Sequence, residues 1–146
     1  MREMAMGPAR IILFLCPHNA AKSIIAAAYF DQLAQNRGLA YRAASAGTSP
    51  DAVPSPAVVA MLRDEGIDVA GYRPRRVITK DLTGAHRVIS LGCDPDDLAG
   101  GAQVDRWDDV PPASQNLAAA RTAIKQHLDL LVAELAADDS PGAPGV

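Results

Sequence analysis

Cysteine is scarce in this chain: Cys16 and Cys93 are the only two in 146 residues. That is too few for a disulfide scaffold. No CxxC pair occurs, and His18, His86 and His127 are widely separated, so no zinc-site spacing is present. Long apolar runs are missing too. None approaches the ~20 residues that cross a bilayer. The N-terminal apolar stretch after Arg2 and Arg10 stops at Pro17 and His18, with no small-x-small cleavage site behind it, so no secretory signal is expected there. Excess positive charge is absent: the net charge is −3, so no global basic field calls for nucleic acid. The dense basic cluster of Arg73, Arg75 and Arg76, with Lys80 nearby, reads as a solvated loop. A cytoplasmic protein with no membrane or nucleic-acid partner is expected, with both cysteines starting as thiols.

What is present is ordinary in bulk and informative in order. Hydrophobic residues make up 49% and charged residues 21%, as in common globular proteins. The length suits one domain with one core. Residues 1–9 read as a loose leader, 10–137 as the single domain and 138–146 as a flexible tail. Ile11–Leu15 is a continuous apolar run, the pattern of a central parallel strand buried on both faces. A helix is expected over 20–37, with Ile25, Tyr29 and Leu33 on one face. Tyr41–Ser45 reads as a second strand. Ser55-Pro56 reads as an N-cap followed by proline at the first helical position. A short turn or helix follows near Thr79–Ala85, then strands at Val88–Leu91 and Val104–Trp107. The last helix carries Leu117, Ile124, Leu128, Leu131 and Leu135 at helical spacing.

Strands alternating with helices predict an α/β three-layer sandwich, a central four-stranded parallel sheet with helices on both faces. In such sheets ligands bind outside the carboxyl ends of the strands. Cys16, Gly47 and Cys93 all fall just past expected strand ends, so they share that edge.

The segment Cys16-Pro-His-Asn-Ala-Ala-Lys-Ser23 joins the first strand to the first helix. A loop entering a helix N-terminus offers unpaired N–H groups and the positive end of the helix dipole, which suits an oxyanion. The same position lowers the pKa of a thiol. Cys16 is the candidate nucleophile, Lys22 the candidate charge for the oxyanion, and Ser23 a candidate hydrogen-bond donor to the sulfur. Asn19 is a residue type that tolerates the left-handed backbone of a tight anion loop. The bland alternative is that Cys16 is a small buried hydrophobe at a strand end. Cys-x5-Lys-Ser lacks the glycines of a Walker loop.

These residues resemble the low-molecular-weight protein tyrosine phosphatase superfamily, which includes thiol-dependent arsenate reductases. Those proteins carry Cys-x5-Arg-Ser between the first strand and first helix; here lysine stands for arginine. The likeness continues through Ser45-Ala-Gly-Thr48, Ser55-Pro-Ala, Gly66-Ile-Asp68, Gly71, Val88-Ile-Ser-Leu-Gly-Cys93 and Trp107-Asp-Asp. It covers roughly residues 10–136. Cys-x-His-Asn-Ala, with Gly-Cys after the third strand, is closer to the arsenate reductase branch.

The resemblance implies that Cys16 is the nucleophile and that the amides of His18, Asn19, Ala20, Ala21, Lys22 and Ser23 hold the anion. It also implies that Asn19 and Ser45 form the hydrogen bond bracing the loop. Three departures stand out. Pro17 has no N–H to donate. Lys22 is a point charge without the planar fork of arginine, a change worth ~2–4 kcal/mol by analogy with losing one oxyanion donor. The family's general acid precedes a proline after the fourth strand, where a gapless match here puts Pro111; Asp109 or Asp108 serves if the loop is shifted.

Cys93 is either a resolving thiol or a buried structural cysteine. The function implied is hydrolysis of a phosphomonoester or reduction of arsenate. Neither needs a metal or organic cofactor, though the reduction needs a small thiol or a reductase protein. The alternatives are an oxyanion- or phosphoprotein-binding module with little turnover, and a redox protein using Cys16 with Cys93.

Overall fold

The structure is a computed structural model that describes residues 9–95 and 103–138. Of the expected leader only Ala9, and of the expected tail only Asp138, fall among the described residues. The apolar run forms strand β1 (Arg10–Cys16), and the side chains from Ile12 to Leu15 are fully buried. Each of these contributes about 2 kcal/mol by leaving water. Such burial on both faces requires neighbours on both edges. β1 pairs in parallel with β2 (Tyr41–Gly47), from Arg10 opposite Tyr41 to Cys16 opposite Gly47. On its other edge it pairs with β3 (Arg87–Ser90), and β3 pairs with β4 (Val104–Arg106). The order is β2-β1-β3-β4, all parallel.

The helices are α1 (Lys22–Asn36), α2 (Pro56–Asp64), α3 (Thr79–Gly84) and α4 (Leu117–Asp138). Strand alternation sorts the core. Ile12, Phe14 and Cys16 pack with Ile25 and Phe30 of α1, Leu62 of α2 and Ile124 and Leu128 of α4. Leu13 and Leu15 pack on the other face with Val77, Leu82 of α3 and Cys93. The result is the expected α/β three-layer sandwich. Tyr29, Glu65 and Arg121 stitch the first face together: Tyr29 donates to Glu65 at 2.8 Å, and Arg121 Nε lies 2.9 Å from Tyr29 Oη and 3.1 Å from Glu65.

Two boundaries differ from the sequence reading in ways that shape the site. α1 starts at Lys22, two residues later than expected, because Asn19 has φ 49° and Ala21 has φ −136° and ψ −82°. Residues 17–21 therefore stay a loop. β2 runs on to Gly47, because the ladder with β1 continues to Cys16. Ser55 does cap α2: its Oγ accepts from Val58 N at 3.4 Å, with Pro56 opening the helix.

Candidate active site

β1 and β2 end side by side at Cys16 and Gly47, on the carboxyl edge of the sheet. Gly47 has no room for a side chain. A Cβ there would lie 2.7 Å from Pro17 O, 2.8 Å from Cys16 O and 2.9 Å from Asn19 N. All three are backbone atoms, so the loop after Cys16 lies directly against this glycine. Gly47 also donates to Arg75 O and accepts from Val77 N, both at 2.9 Å. One residue thus fixes the loop on one side and the 75–77 segment on the other.

The loop closes on the sulfur. Ser23 N lies 3.4 Å and Ser23 Oγ 3.1 Å from Cys16 Sγ. Among the described residues, the amides of His18, Asn19, Ala20, Ala21 and Lys22 have no hydrogen-bond partner. Helix α1 has no side-chain N-cap and no acidic residue in its first turn. Unpaired donors at a helix N-terminus without a competing carboxylate favour an anion.

Fully buried Asn19 sets the direction of the hydrogen bonds behind the loop. Arg75 N donates to Asn19 Oδ1 at 2.9 Å, and a backbone N–H can only donate. Oδ1 therefore faces Arg75, and Nδ2 donates to Ser23 Oγ at 2.7 Å. That leaves the Ser23 proton for Cys16 Sγ when the sulfur is ionised. Tyr72 donates to the same Oδ1 at 2.7 Å, and Ser45 Oγ sits 2.6 Å from Tyr72 Oη. Asn19 and Ser45, expected to bond directly, are bridged by Tyr72. The sequence reading missed Tyr72, though it follows Gly71 in the segment that carried the resemblance.

Cys16 lines a cavity of about 580 Å³ with His18, Ala20, Ala21 and Lys22 on one side and Pro112, Ala113, Ser114 and Gln115 on another. Among the described residues Lys22 Nζ has no hydrogen-bond or ion-pair partner. It lies 3.0 Å from where a Cβ would stand on Gly92, whose φ is +95°. Neither Asp108 nor Asp109 lines this cavity. Asp109 bonds His127 Nε2 at 2.7 Å, which holds its carboxyl below the ordinary range, and the His127 ring stacks on Trp107 at 4.5 Å. The carboxylate in the cavity wall is Asp51, four residues past the end of β2. Its distance from the strand end was a usable signal that the sequence reading passed over.

Cys93 packs on the opposite face of the sheet from Cys16. Ser90 Oγ lies 3.5 Å from its sulfur and donates to the Cys93 carbonyl at 2.6 Å. Burial pushes the Cys93 thiol up; the Ser90 hydroxyl opposes this, and the charge of Cys16 adds to the rise. The basic cluster stays out of the cavity: Arg75 forks onto Asp81 at 3.1 Å, and Arg76 donates to Thr48 O at 2.9 Å.

The family model of the low molecular weight phosphotyrosine protein phosphatases matches residues 11–98. The chain belongs to this family. A protein named "Putative arsenate reductase" from Halobacterium salinarum is 27% identical over 131 residues, 88% of this chain and 92% of that protein. YfkJ from Bacillus subtilis superposes with a TM-score of 0.79 at 24% identity, covering 92% of this chain and 99% of that one. A thioredoxin-dependent arsenate reductase from Corynebacterium glutamicum gives 0.73 at 22% identity, covering 92% of this chain and 65% of that one. At these identities the solved structures share the fold with this chain.

The phosphatase family's chemistry is cysteine-dependent, phosphatase or arsenate reductase, and needs no metal or prosthetic group. Among the described residues, no group of three or more His, Cys, Asp or Glu is placed to hold a metal, and no helix is long and apolar enough to cross a membrane.

Proposed function

We propose that this protein hydrolyses a phosphomonoester through a cysteinyl-phosphate on Cys16. The supporting observation is the loop itself, in which Cys16 Sγ meets Ser23 N and Oγ while five neighbouring amides have no partner among the described residues. The Cys16 sulfur attacks phosphorus and the ester oxygen leaves. Water then breaks the S–P bond and restores the thiolate. The amides from His18 to Ser23 hold the non-bridging oxygens, and Lys22 balances their charge, both strongest where charge builds in the transition state. The Ser23 hydroxyl, polarised by Asn19, stabilises the sulfur as nucleophile and as leaving group. No cofactor enters, and the setting is the cytoplasm.

A second reading, reduction of arsenate at the same sulfur, draws on the Halobacterium relative. With Cys93 on the opposite face of the sheet, that route takes its electrons from a small thiol or a reductase protein. The test is hydrolysis of p-nitrophenyl phosphate beside thiol-coupled arsenate reduction, with Cys16→Ser as control. Hydrolysis that falls by roughly 10³-fold or more in Cys16→Ser is the expected result. Arsenate turnover alone selects the second reading. Phosphate binding with no turnover of either compound leaves an anion-binding module and overturns both.

A further inference from the structure

Hydrolysis at Cys16 needs a proton for the departing ester oxygen, and the loop after β4 does not bring a carboxyl to the cavity. Asp108 and Asp109 stand outside its lining, and Asp109 is engaged by His127 at 2.7 Å. Asp51 is the only carboxylate among the described residues lining the cavity. Its place is set by backbone bonds rather than by its own side chain. Asp51 N donates to His18 O at 2.9 Å, and Ser49 N donates to Pro17 O at 2.7 Å. The 49–51 segment is thereby zipped to the nucleophile loop.

The carboxyl itself is only lightly engaged. His18 Nδ1 lies 3.1 Å from Ser49 O and 3.5 Å from Asp51 Oδ1. A carbonyl accepts only, so Nδ1 carries a proton and points it mainly at Ser49. Asp51 Oδ2 has no partner among the described residues. The carboxyl is half exposed and lines the cavity that Cys16 also lines.

We infer that Asp51 is the general acid of this site, supplied by the loop after β2 instead of the loop after β4. The assignment rests on the hydrolase reading above. As the Cys16 sulfur bonds to phosphorus and the P–O ester bond breaks, the Asp51 carboxyl passes its proton to the leaving oxygen and becomes a carboxylate. In the second half, that carboxylate takes a proton from the water that attacks phosphorus as the S–P bond breaks. Atoms and charge balance without any further reactant. His18, whose Nδ1 lies 3.5 Å from Oδ1 while its proton goes to Ser49 O, is a positioning residue for this carboxyl.

The test uses leaving groups. p-Nitrophenyl phosphate expels a stable anion and gains little from protonation; phenyl phosphate depends on it. In Asp51→Asn, kcat/KM, which reports only the steps up to loss of the leaving group, should fall by roughly 10²-fold or more on phenyl phosphate and by about fivefold or less on p-nitrophenyl phosphate. Asp51→Glu should restore most of the lost kcat/KM on phenyl phosphate. Equal loss of kcat/KM on both esters would show a structural role and overturn the assignment. So would the selective phenyl phosphate loss appearing in Asp108→Asn or Asp109→Asn instead. A His18→Ala loss larger than that of Asp51→Asn would move the proton to the imidazole and also overturn it. These outcomes leave the hydrolase reading standing. If the wild type cleaves neither ester, the hydrolase reading falls and takes the acid with it.

Discussion

The ends of β1 and β3 carry the same ingredients and put them to different use. Each ends near a buried cysteine, 3% exposed at Cys16 and 8% at Cys93, and each sulfur has a serine hydroxyl beside it. At Cys16 the serine accepts from Asn19, so its proton is available to the sulfur. At Cys93 the serine proton goes to the Cys93 carbonyl at 2.6 Å. The first sulfur also meets a backbone N–H at an uncapped helix start, whereas the second packs among Leu13, Leu15 and Leu82. Burial alone does not decide what a thiol does. The decisive factor is where the neighbouring protons point.

The sharpest way to break this comparison is to remove each sulfur in turn. Cys16→Ser should abolish ester hydrolysis, by roughly 10³-fold or more, while Cys93→Ser should act through stability instead. Steady-state kinetics and urea unfolding of the two variants separate the effects. Alkylation sharpens it further. Because burial raises the Cys93 thiol, its labelling by iodoacetamide should be slow near pH 7 and should accelerate at alkaline pH, read by mass spectrometry.

Next in size is the glycine that lets the first strand end build a loop at all. Gly47→Ala meets three backbone atoms within 2.9 Å. It should cost about 1–3 kcal/mol of stability and displace the nucleophile loop, seen as a lower Tm together with lost turnover. Tyr72→Phe is gentler. It removes the hydroxyl between Ser45 and Asn19, at a cost of about 1 kcal/mol, and should lower kcat without unfolding the chain.

The smallest effect lies outside the lining of the Cys16 cavity. His127 holds the Asp109 carboxyl below its ordinary range, so the pair stabilises the fold above the unfolded carboxyl pKa of about 3.9. That contribution is lost as pH falls through the lower, folded value. Asp109→Asn should erase this portion of the acid unfolding curve and leave the cavity unchanged.

The parts of the molecule written in contiguous residues were legible beforehand. Ile11–Leu15 announced a doubly buried strand, Ser55-Pro56 announced a helix start, and the Cys16–Ser23 spacing announced a loop before a helix. The parts assembled from afar were not. Tyr72 reaches Asn19 across 53 positions, and no local pattern marks a tyrosine as a bridge. Asp109 looked available until α4 returned His127, stacked on Trp107, to take it. Asp51 lay between the two kinds: its distance from a strand end was visible, but its zipper to Pro17 and His18 was not.

The single backbone amide of Arg75 has a consequence for how this chain tolerates change. It anchors the buried asparagine, yet belongs to no side chain, so almost any amino acid at position 75 preserves it. Proline is the exception, since it alone arrives without that hydrogen. A survey of substitutions would find the position permissive and pass it by, although one cyclic residue there would silence the sulfur from a distance.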